Sequence, residues 1–234
     1  MNENIPDIIP LIEHADDGSS AEELAGMKRH LAEKLHDLSV LAEAPSLQRA
    51  RLQMDIAELL NALDRKKEAW DIASEAFRIS MQQESWTDAV EASDVLFQAG
   101  QEDSMAVLGM GIWLAITFPV NPELTVAMLI HLVDETPDAS EVGALAAITA
   151  RYVVDLRADD GSHESQCFLV DNHIAMVAKR HNNVRDQDAM NRWLDRLQLR
   201  DPQVFLPRLS REVDAIVNGK WWFDRDELRA RLPE

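Results

Sequence analysis

Apolar residues recur at intervals of three and four along most of the chain, which is the spacing of one face of an α-helix. The first such run comprises Leu24, Met27, Leu31, Leu35 and Leu38. It follows Ser20 and Glu23, a pair that can form a capping box at a helix N-terminus. The alternation of apolar and polar residues that marks a β-strand does not recur. The pattern therefore predicts an all-α protein.

Turn and capping residues divide the chain into about ten helices joined by short links. Asn121–Pro122 and Thr136–Pro137 predict two helix starts, because proline is favoured at the first helical position. Gly100 and Gly219 predict two helix ends. The predicted helices after the first cover about 47–63, 64–83, 85–100, 102–117, 121 onward, 136–156, 163–181, 186–199 and 201–219, and "DRDE" at 224–227 predicts a cap on a last short turn.

The predicted helices form successive two-helix repeat units, and in three of these units a small residue stands near the start of the second helix. Ala69, Ala106 and Gly143 are each separated by 37 residues, and Ala69 is followed on the same face by Ala73 and Ala76. Two antiparallel helices nest tightly where one of them presents a small side chain. Each helix hairpin would still have an unburied face, so hairpins would stack. This repeat predicts an α-solenoid.

The repeat resembles a tetratricopeptide-type repeat over residues 46–156. The matching residues are Ala57, Leu60, Ala69, Ala76, Phe77, Phe97, Ala106, Leu114 and Pro119. The spacing of 37 differs from the family's 34, the tryptophan–leucine–glycine signature is missing, and Ala73 stands where an aromatic residue is expected. The resemblance implies a right-handed solenoid of stacked hairpins. The alternative is an irregular helical bundle with alanines at its helix crossings.

The domain organisation expected from this pattern is simple. Residues 1–18 form a flexible N-terminal segment, and residues 19–234 form one helical domain. Within that domain, residues 46–156 are the repeat-like core and residues 160–234 a C-terminal cap. No linker is long or polar enough to separate two domains.

Charge and composition narrow the class of function. The net charge is −19, and all of the excess lies in residues 1–182, with 13 Lys and Arg against 32 Asp and Glu. Such a surface repels nucleic acid and would attract a basic protein, although it could also serve solubility alone. The one cysteine, Cys167, fits a reducing cytoplasm, and no stretch is long enough to span a membrane.

The sequence contains no specific catalytic motif, neither a phosphate-binding glycine loop nor a zinc-protease or serine-hydrolase signature. His163, Cys167 and Asp171 share a helix face, and His173 lies close in sequence, so a metal site built on His163, Cys167 and His173 is one alternative. A structural role for Cys167 is favoured over it. We expect no enzymatic activity, no cofactor and no bound metal.

The family resemblance implies which residues would contact a partner, because the first helix of each hairpin lines a concave groove. The implied groove residues are Arg51, Met54, Glu58, Asn61, Asp88, Glu91, Val95, Gln98, Met128 and Leu132. Trp221 and Trp222 are further candidates, either as a partner anchor or as a cap folded over the last repeat.

The leading hypothesis is a cytoplasmic, non-enzymatic interaction protein: an adaptor, an assembly chaperone or an accessory subunit. Its partner would be a basic or amphipathic protein segment. One alternative is a permanently docked subunit of a larger enzyme complex, attached through residues 221–223 or the apolar helix at 105–118. The metal-binding protein or enzyme is the third hypothesis. The oligomeric state is left open.

Overall fold

The computed structural model describes residues 17–232, with side chains from residue 21 onward. This part of the chain contains eleven helices and no strand. The helices are α1 Asp17–Val40, α2 Leu47–Ala62, α3 Lys66–Gln82, α4 Trp86–Gln98, α5 Ser104–Thr117, α6 Pro122–Asp134, α7 Glu141–Arg157, α8 His163–Asn182, α9 Gln187–Arg196, α10 Pro202–Val217 and α11 Arg225–Ala230. The predicted all-α class is confirmed. The predicted N-terminal segment lies outside the described residues up to residue 16.

Capping residues explain most of the helix boundaries. The Asn121 side chain accepts a hydrogen bond of 2.7 Å from the Glu123 amide, so Pro122 opens α6 as predicted. The Asp201 side chain caps α10 in the same way. Gly100 and Gly219 follow α4 and α10 with left-handed φ angles of 62° and 76°, a conformation that glycine adopts without strain.

Two predicted helix starts are wrong. The seventh helix begins at Glu141 and not at Thr136–Pro137, because Ser140 supplies the cap by accepting a hydrogen bond from the Val142 amide. The first helix begins at Asp17, so Ser20 lies inside α1 and is not its N-cap. In both cases several polar residues precede the apolar run, and the run alone does not choose among them.

Successive helices pack into a stacked array, an all-α helical solenoid. Helices α2 and α3, α4 and α5, and α6 and α7 pack against each other as hairpins. Helices α2, α4, α6 and α8 also contact one another in order and form an inner layer, whereas α3, α5 and α7 form an outer layer. The outer helices begin at Lys66, Ser104 and Glu141, at intervals of 38 and 37 residues, close to the repeat of 37 seen in the sequence.

Small residues allow the helices to approach closely. Ala69, Ala73 and Ala76 have no exposed surface, and α3 packs against both α2 and α4. Gly111 marks an even closer crossing: a Cβ atom there would lie 2.7 Å from Cβ of Ser93 on α4 and would also clash with Cε of Met128 on α6. The close-approach argument is thus confirmed at these positions.

The C-terminal part of the chain folds back over the outer layer. Helix α10 packs on α5 and α7, and a Cβ atom at Gly109 would lie 2.7 Å from Cγ2 of Val217. The segment that follows places the Trp221 ring 6.0 Å from that of Trp113 on α5, and the Trp222 ring 5.4 Å from that of Phe77 on α3. The tryptophans therefore pack on the first two hairpins and not on the last repeat.

None of the helices in residues 17–232 is both long enough and apolar enough to cross a membrane.

Candidate functional site

An open groove of about 610 Å³ runs along the inner layer between α2 and α4. It continues into two hollows between α1 and α2, which share Asp55 with it and have volumes of about 420 and 560 Å³. We call the surface of α2 and α4 that contains Arg51, Asp55, Glu58, Asp88 and Glu91 the acidic groove. Four of these five side chains are carboxylates.

Two of the carboxylates are neutralised within the protein. Asp88 is only 4 % exposed, and it accepts hydrogen bonds of 3.0 Å from both Nε and Nη2 of Arg51 and one of 2.7 Å from Oγ of Ser85. The Lys34 ammonium on α1 lies 2.6 Å from a carboxylate oxygen of Asp55. A bidentate pair holds its geometry well, so the Arg51–Asp88 pair fixes α2 against α4.

Two other carboxylates keep their charge available. Glu58 and Glu91 are exposed, and neither forms an ion pair with any of the described residues. Partial burial raises the pKa of Glu58, and Asp55 and Asp94 raise it further. Partial burial also raises the pKa of Glu91, to which Asp88 and Glu58 contribute. The Arg51 charge offsets part of the shift of Glu91, but Arg51 forms its ion pair with Asp88, so an incoming positive charge would still stabilise these crowded carboxylates.

A contact between His131 on α6 and Asp94 on α4 extends this surface to α6. The Nε2 atom of His131 lies 2.9 Å from Oδ1 of Asp94, and this contact raises the pKa of His131. The His131 ring also lies 4.9 Å from the ring of Phe97. His131 is thus a half-buried partner of Asp94 at the end of the surface.

The structure brings together only some of the residues that the resemblance implied. Five of them line the groove: Arg51, Met54, Glu58, Asp88 and Glu91. Asn61 donates a hydrogen bond of 2.9 Å to the carbonyl of Val95 and helps to join α2 to α4, and Gln98 is exposed at the end of α4.

The four apolar members of that set are largely buried, and three of them, Val95, Met128 and Leu132, do not line the groove. Met54, Val95, Met128 and Leu132 are at most 5 % exposed. Val95, Met128 and Leu132 lie at the packed contacts of α4 and α6 with their neighbours, whereas the edge of Met54 is part of the groove wall. The apolar surface beside the groove comes instead from Leu52, Leu59 and the exposed Val40, which line the hollows next to α1.

Trp221 and Trp222 lie on the outer layer, away from the acidic groove. The Trp221 ring packs beneath the guanidinium of Arg225, whose Cζ atom is 4.0 Å from the ring centroid. Trp222 keeps 40 % of its surface exposed. Because α10 and residues 221–223 cover α5, the apolar helix suggested as a docking surface is buried within this chain.

Asp55, Lys34 and Asp94 were missed by sequence reasoning. Asp55 follows Arg51 by one helical turn, so helical spacing could have found it. Lys34 belongs to a helix outside the repeat, and Asp94 is recognised only through its contact with His131. The spacing of residues along a single helix cannot predict ion pairs between two different helices.

The predicted metal ligands do not converge as a set. The ring of His173 donates to the carbonyl of Leu169 on its own helix, and Asp155 on α7 takes its place beside His163 and Cys167. The Nε2 atom of His163 is 3.0 Å from Asp155, and the Cys167 sulfur is 3.5 Å from Nδ1 of His163.

This cluster is built as an ion-pair network. Arg151 pairs with Asp155 and, at 3.1 Å, with Asp171. Burial alone would raise the pKa of Asp155, but hydrogen bonds from Arg151 and His163 lower it overall. A divalent ion would have to displace the guanidinium, because the two cations would compete for the same carboxylate.

No protein-family model, no curated protein and no solved structure matches this chain in the three comparisons made. The tetratricopeptide resemblance therefore stays a prediction, supported by the helical array alone.

Proposed function

We propose that this chain is a non-enzymatic interaction module that binds a basic, amphipathic segment of another protein in the acidic groove. It would act as an adaptor, an assembly chaperone or an accessory subunit. The observation that carries this proposal is the pair of exposed carboxylates, Glu58 and Glu91, that form no ion pair with any of the described residues.

Charge supports a basic partner. Partial burial and repulsion from neighbouring carboxylates raise the pKa of both Glu58 and Glu91, and Glu58 is one of the charges that act on Glu91. A lysine or arginine placed between them would relieve that repulsion and gain two charge-assisted hydrogen bonds. The overall charge of −19 would also speed the encounter with a cationic segment.

The neighbouring hollows support an amphipathic partner. Val40, Leu52 and Leu59 offer apolar surface within the same continuous depression as the carboxylates. A partner helix with basic residues on one side and leucine-like residues on the other would match both kinds of surface.

Rigidity supports binding without large rearrangement. The Arg51–Asp88 pair and the Asn61–Val95 hydrogen bond both join α2 to α4. A groove whose walls are already fixed loses less conformational entropy when a ligand binds.

A labelled amphipathic Leu/Lys peptide of about five helical turns tests this proposal by fluorescence anisotropy. The double variant E58K/E91K should weaken its binding by about tenfold or more, because two attractions become repulsions. The variant E102K/D188K changes the net charge equally at exposed positions outside the groove and is the matched control. Equal affinity of the three proteins, or equal affinity for a Leu/Glu peptide, would refute the proposal.

The natural partner can be sought with the same two proteins. A native pull-down with the wild type and with E58K/E91K should recover one protein at fixed stoichiometry with the wild type alone. The identity of that protein would assign the pathway. Recovery that is the same with both proteins would place the interaction on a different surface.

A further inference from the structure

A partly open cavity of about 260 Å³ lies on the outer layer, where α10 packs against α5. Side chains of both helices form its walls, and Arg229 on α11 also lines it. We call it the α5–α10 cavity. It shares no residue with the acidic groove, so the proposed function does not use it.

The walls of the α5–α10 cavity are mainly apolar. Trp113 is 5 % exposed, and Ile112, Leu209 and Val213 are exposed by 2 % or less. An apolar cavity of about 150 Å³ stays dry and binds benzene. By the same measure, a cavity of about 260 Å³ holds an apolar group of about ten non-hydrogen atoms. The cavity therefore fits the body of a small apolar molecule.

Two hydroxyls and one guanidinium line the same cavity without a hydrogen-bond partner among the described residues. Elsewhere in the helices, the hydroxyls of Ser80 and Ser93 donate to the carbonyl one turn earlier. The hydroxyls of Thr117 and Ser210 form no such bond within residues 17–232. Donor groups are therefore available to a ligand within an otherwise apolar space, and this arrangement is typical of a small-molecule site.

The Arg229 guanidinium is held loosely by the protein. Its Cζ atom lies 5.5 Å from the centroid of the Trp113 ring. Its ion pair with Asp226 has a length of 3.6 Å, too long for a hydrogen bond, and the Asp226 side chain is 93 % exposed. The fork of N–H groups can thus bind a carboxylate in a bidentate way.

Local charge also favours an anionic ligand. In the described part of the chain, no carboxylate lines the cavity. Residues 183–234 carry ten Lys and Arg against ten Asp and Glu, so the excess negative charge of the chain lies elsewhere. An anionic ligand would meet the complementary charge of Arg229, whereas a cationic ligand would be repelled by it.

We propose that the α5–α10 cavity binds a small apolar carboxylic acid in its ionised form, such as a medium-chain fatty acid or an arylalkanoic acid. The apolar body lies between α5 and α10, against Trp113 and Leu209. The carboxylate pairs with Arg229 and accepts a hydrogen bond from the hydroxyl of Ser210. This inference is independent of the proposed function, because the acidic groove lies on the inner layer.

Isothermal titration calorimetry of the full-length protein with octanoate and with 3-phenylpropionate tests this inference. The two probes carry the same charge on a linear and on an aromatic body of about ten non-hydrogen atoms. At least one should bind with a Kd of about 1 mM or tighter, which ligands of this size can reach. The amide of that probe keeps its shape without its charge and should bind at least about tenfold more weakly. The tighter probe shows which kind of body the cavity prefers.

The charge is tested by R229Q, which should weaken binding of the tighter probe by about tenfold or more and leave binding of its amide unchanged. R192Q makes the same change at an exposed arginine of α9 outside the cavity and should bind like the wild type. E58K/E91K should also bind the probe as the wild type does. Loss of the acidic-groove function and loss of this site are thereby distinguished.

The cavity itself is tested by S210F, which places a ring inside it and should abolish binding of every probe. S165F adds the same ring at an exposed position of α8 and should keep the wild-type affinity. Circular dichroism should show equal helix content in all variants. If S210F loses helix content, the comparison of R229Q with R192Q still decides the question.

Three results would overturn the inference. One is the absence of binding for both carboxylates up to about 5 mM. Another is an R229Q variant that binds as tightly as the wild type, or an amide that binds as tightly as its carboxylate, since either excludes recognition of the anion. The third is a folded S210F variant that still binds, which would place the binding elsewhere.

Discussion

The C-terminal part of the chain covers the outer layer of this solenoid and leaves the inner layer open. On the outer layer, α10 and residues 221–223 cover α5, and Trp113 is left only 5 % exposed. On the inner layer, the surface of α2 and α4 stays open and charged. The C-terminal segment therefore covers the apolar layer and leaves the polar layer accessible.

Because of this difference, we expect the outer layer to contribute mainly to stability and the inner layer mainly to recognition of a partner. Apolar helix faces must be removed from water, and the C-terminal helices provide their cover. Glu58 and Glu91 of the inner layer are exposed to water and need no cover from the chain itself. Mutations in the outer layer should therefore lower stability, whereas mutations in the acidic groove should change binding and electrostatics.

The largest effect is expected at the aromatic contact of the outer layer. Trp113→Ala removes a buried ring that packs against Trp221 and Phe223, and it should lower the free energy of unfolding by about 3–5 kcal/mol. Urea denaturation followed by circular dichroism measures this loss. Trp222→Ala is the control, and its cost should be clearly smaller because that ring is 40 % exposed. Equal costs would contradict the burial of Trp113 beneath the C-terminal segment.

A smaller effect is expected where the two layers cross. Gly111→Ala adds a Cβ atom 2.7 Å from Cβ of Ser93, and separating α4 from α5 should cost about 1–3 kcal/mol. The control is Gly26→Ala on α1, where nothing lies within 4 Å of the added atom. That variant should gain up to about 1 kcal/mol from helix propensity. A Gly111 variant as stable as the wild type would disprove the close crossing.

The smallest effect is a pH dependence in the acidic groove. The folded state raises the pKa of Glu58 and of Glu91, so it binds their protons more tightly than the unfolded chain does. Stability is therefore lost as pH rises from the ordinary glutamate pKa through the raised values. E58Q/E91Q cannot ionise and should melt slightly above the wild type at pH 7.

At pH 4, where the wild-type carboxyls are largely protonated, the two melting temperatures should converge. The control E102Q/E164Q removes two exposed carboxylates outside the groove. Thermal melts at both pH values distinguish the cases. A gap that is the same at pH 4 and pH 7, or one that the control reproduces, would rule out the partial burial and crowding of Glu58 and Glu91 as its cause.

Much of the helix pattern was predictable because it depends on local chemistry. Asn121 and Pro122 start α6 through a cap and a fixed φ angle, and both effects act within one turn. The alanines at 69, 73 and 76 indicated a close helix crossing because only small side chains permit one. The start of α7 was missed because Ser140 competes with an equally good signal upstream.

The candidate site was predictable only in part. The helical spacing of Arg51 and Glu58 placed them on one face, but it also placed Met54 there, and packing of the neighbouring helix buries that side chain. Lys34 and His131 reach the surface from helices distant in the chain, and no spacing within α2 or α4 could indicate them.

The sequence by itself determined the all-α class, the repeat period and most of the helix ends, since each follows from interactions between residues a few positions apart. The tertiary structure alone decided where the tryptophans pack, which acidic residues stay unpaired and where a cavity remains between α5 and α10. Those features depend on which helices meet, and helices meet through the summed burial of many side chains over long sequence distances.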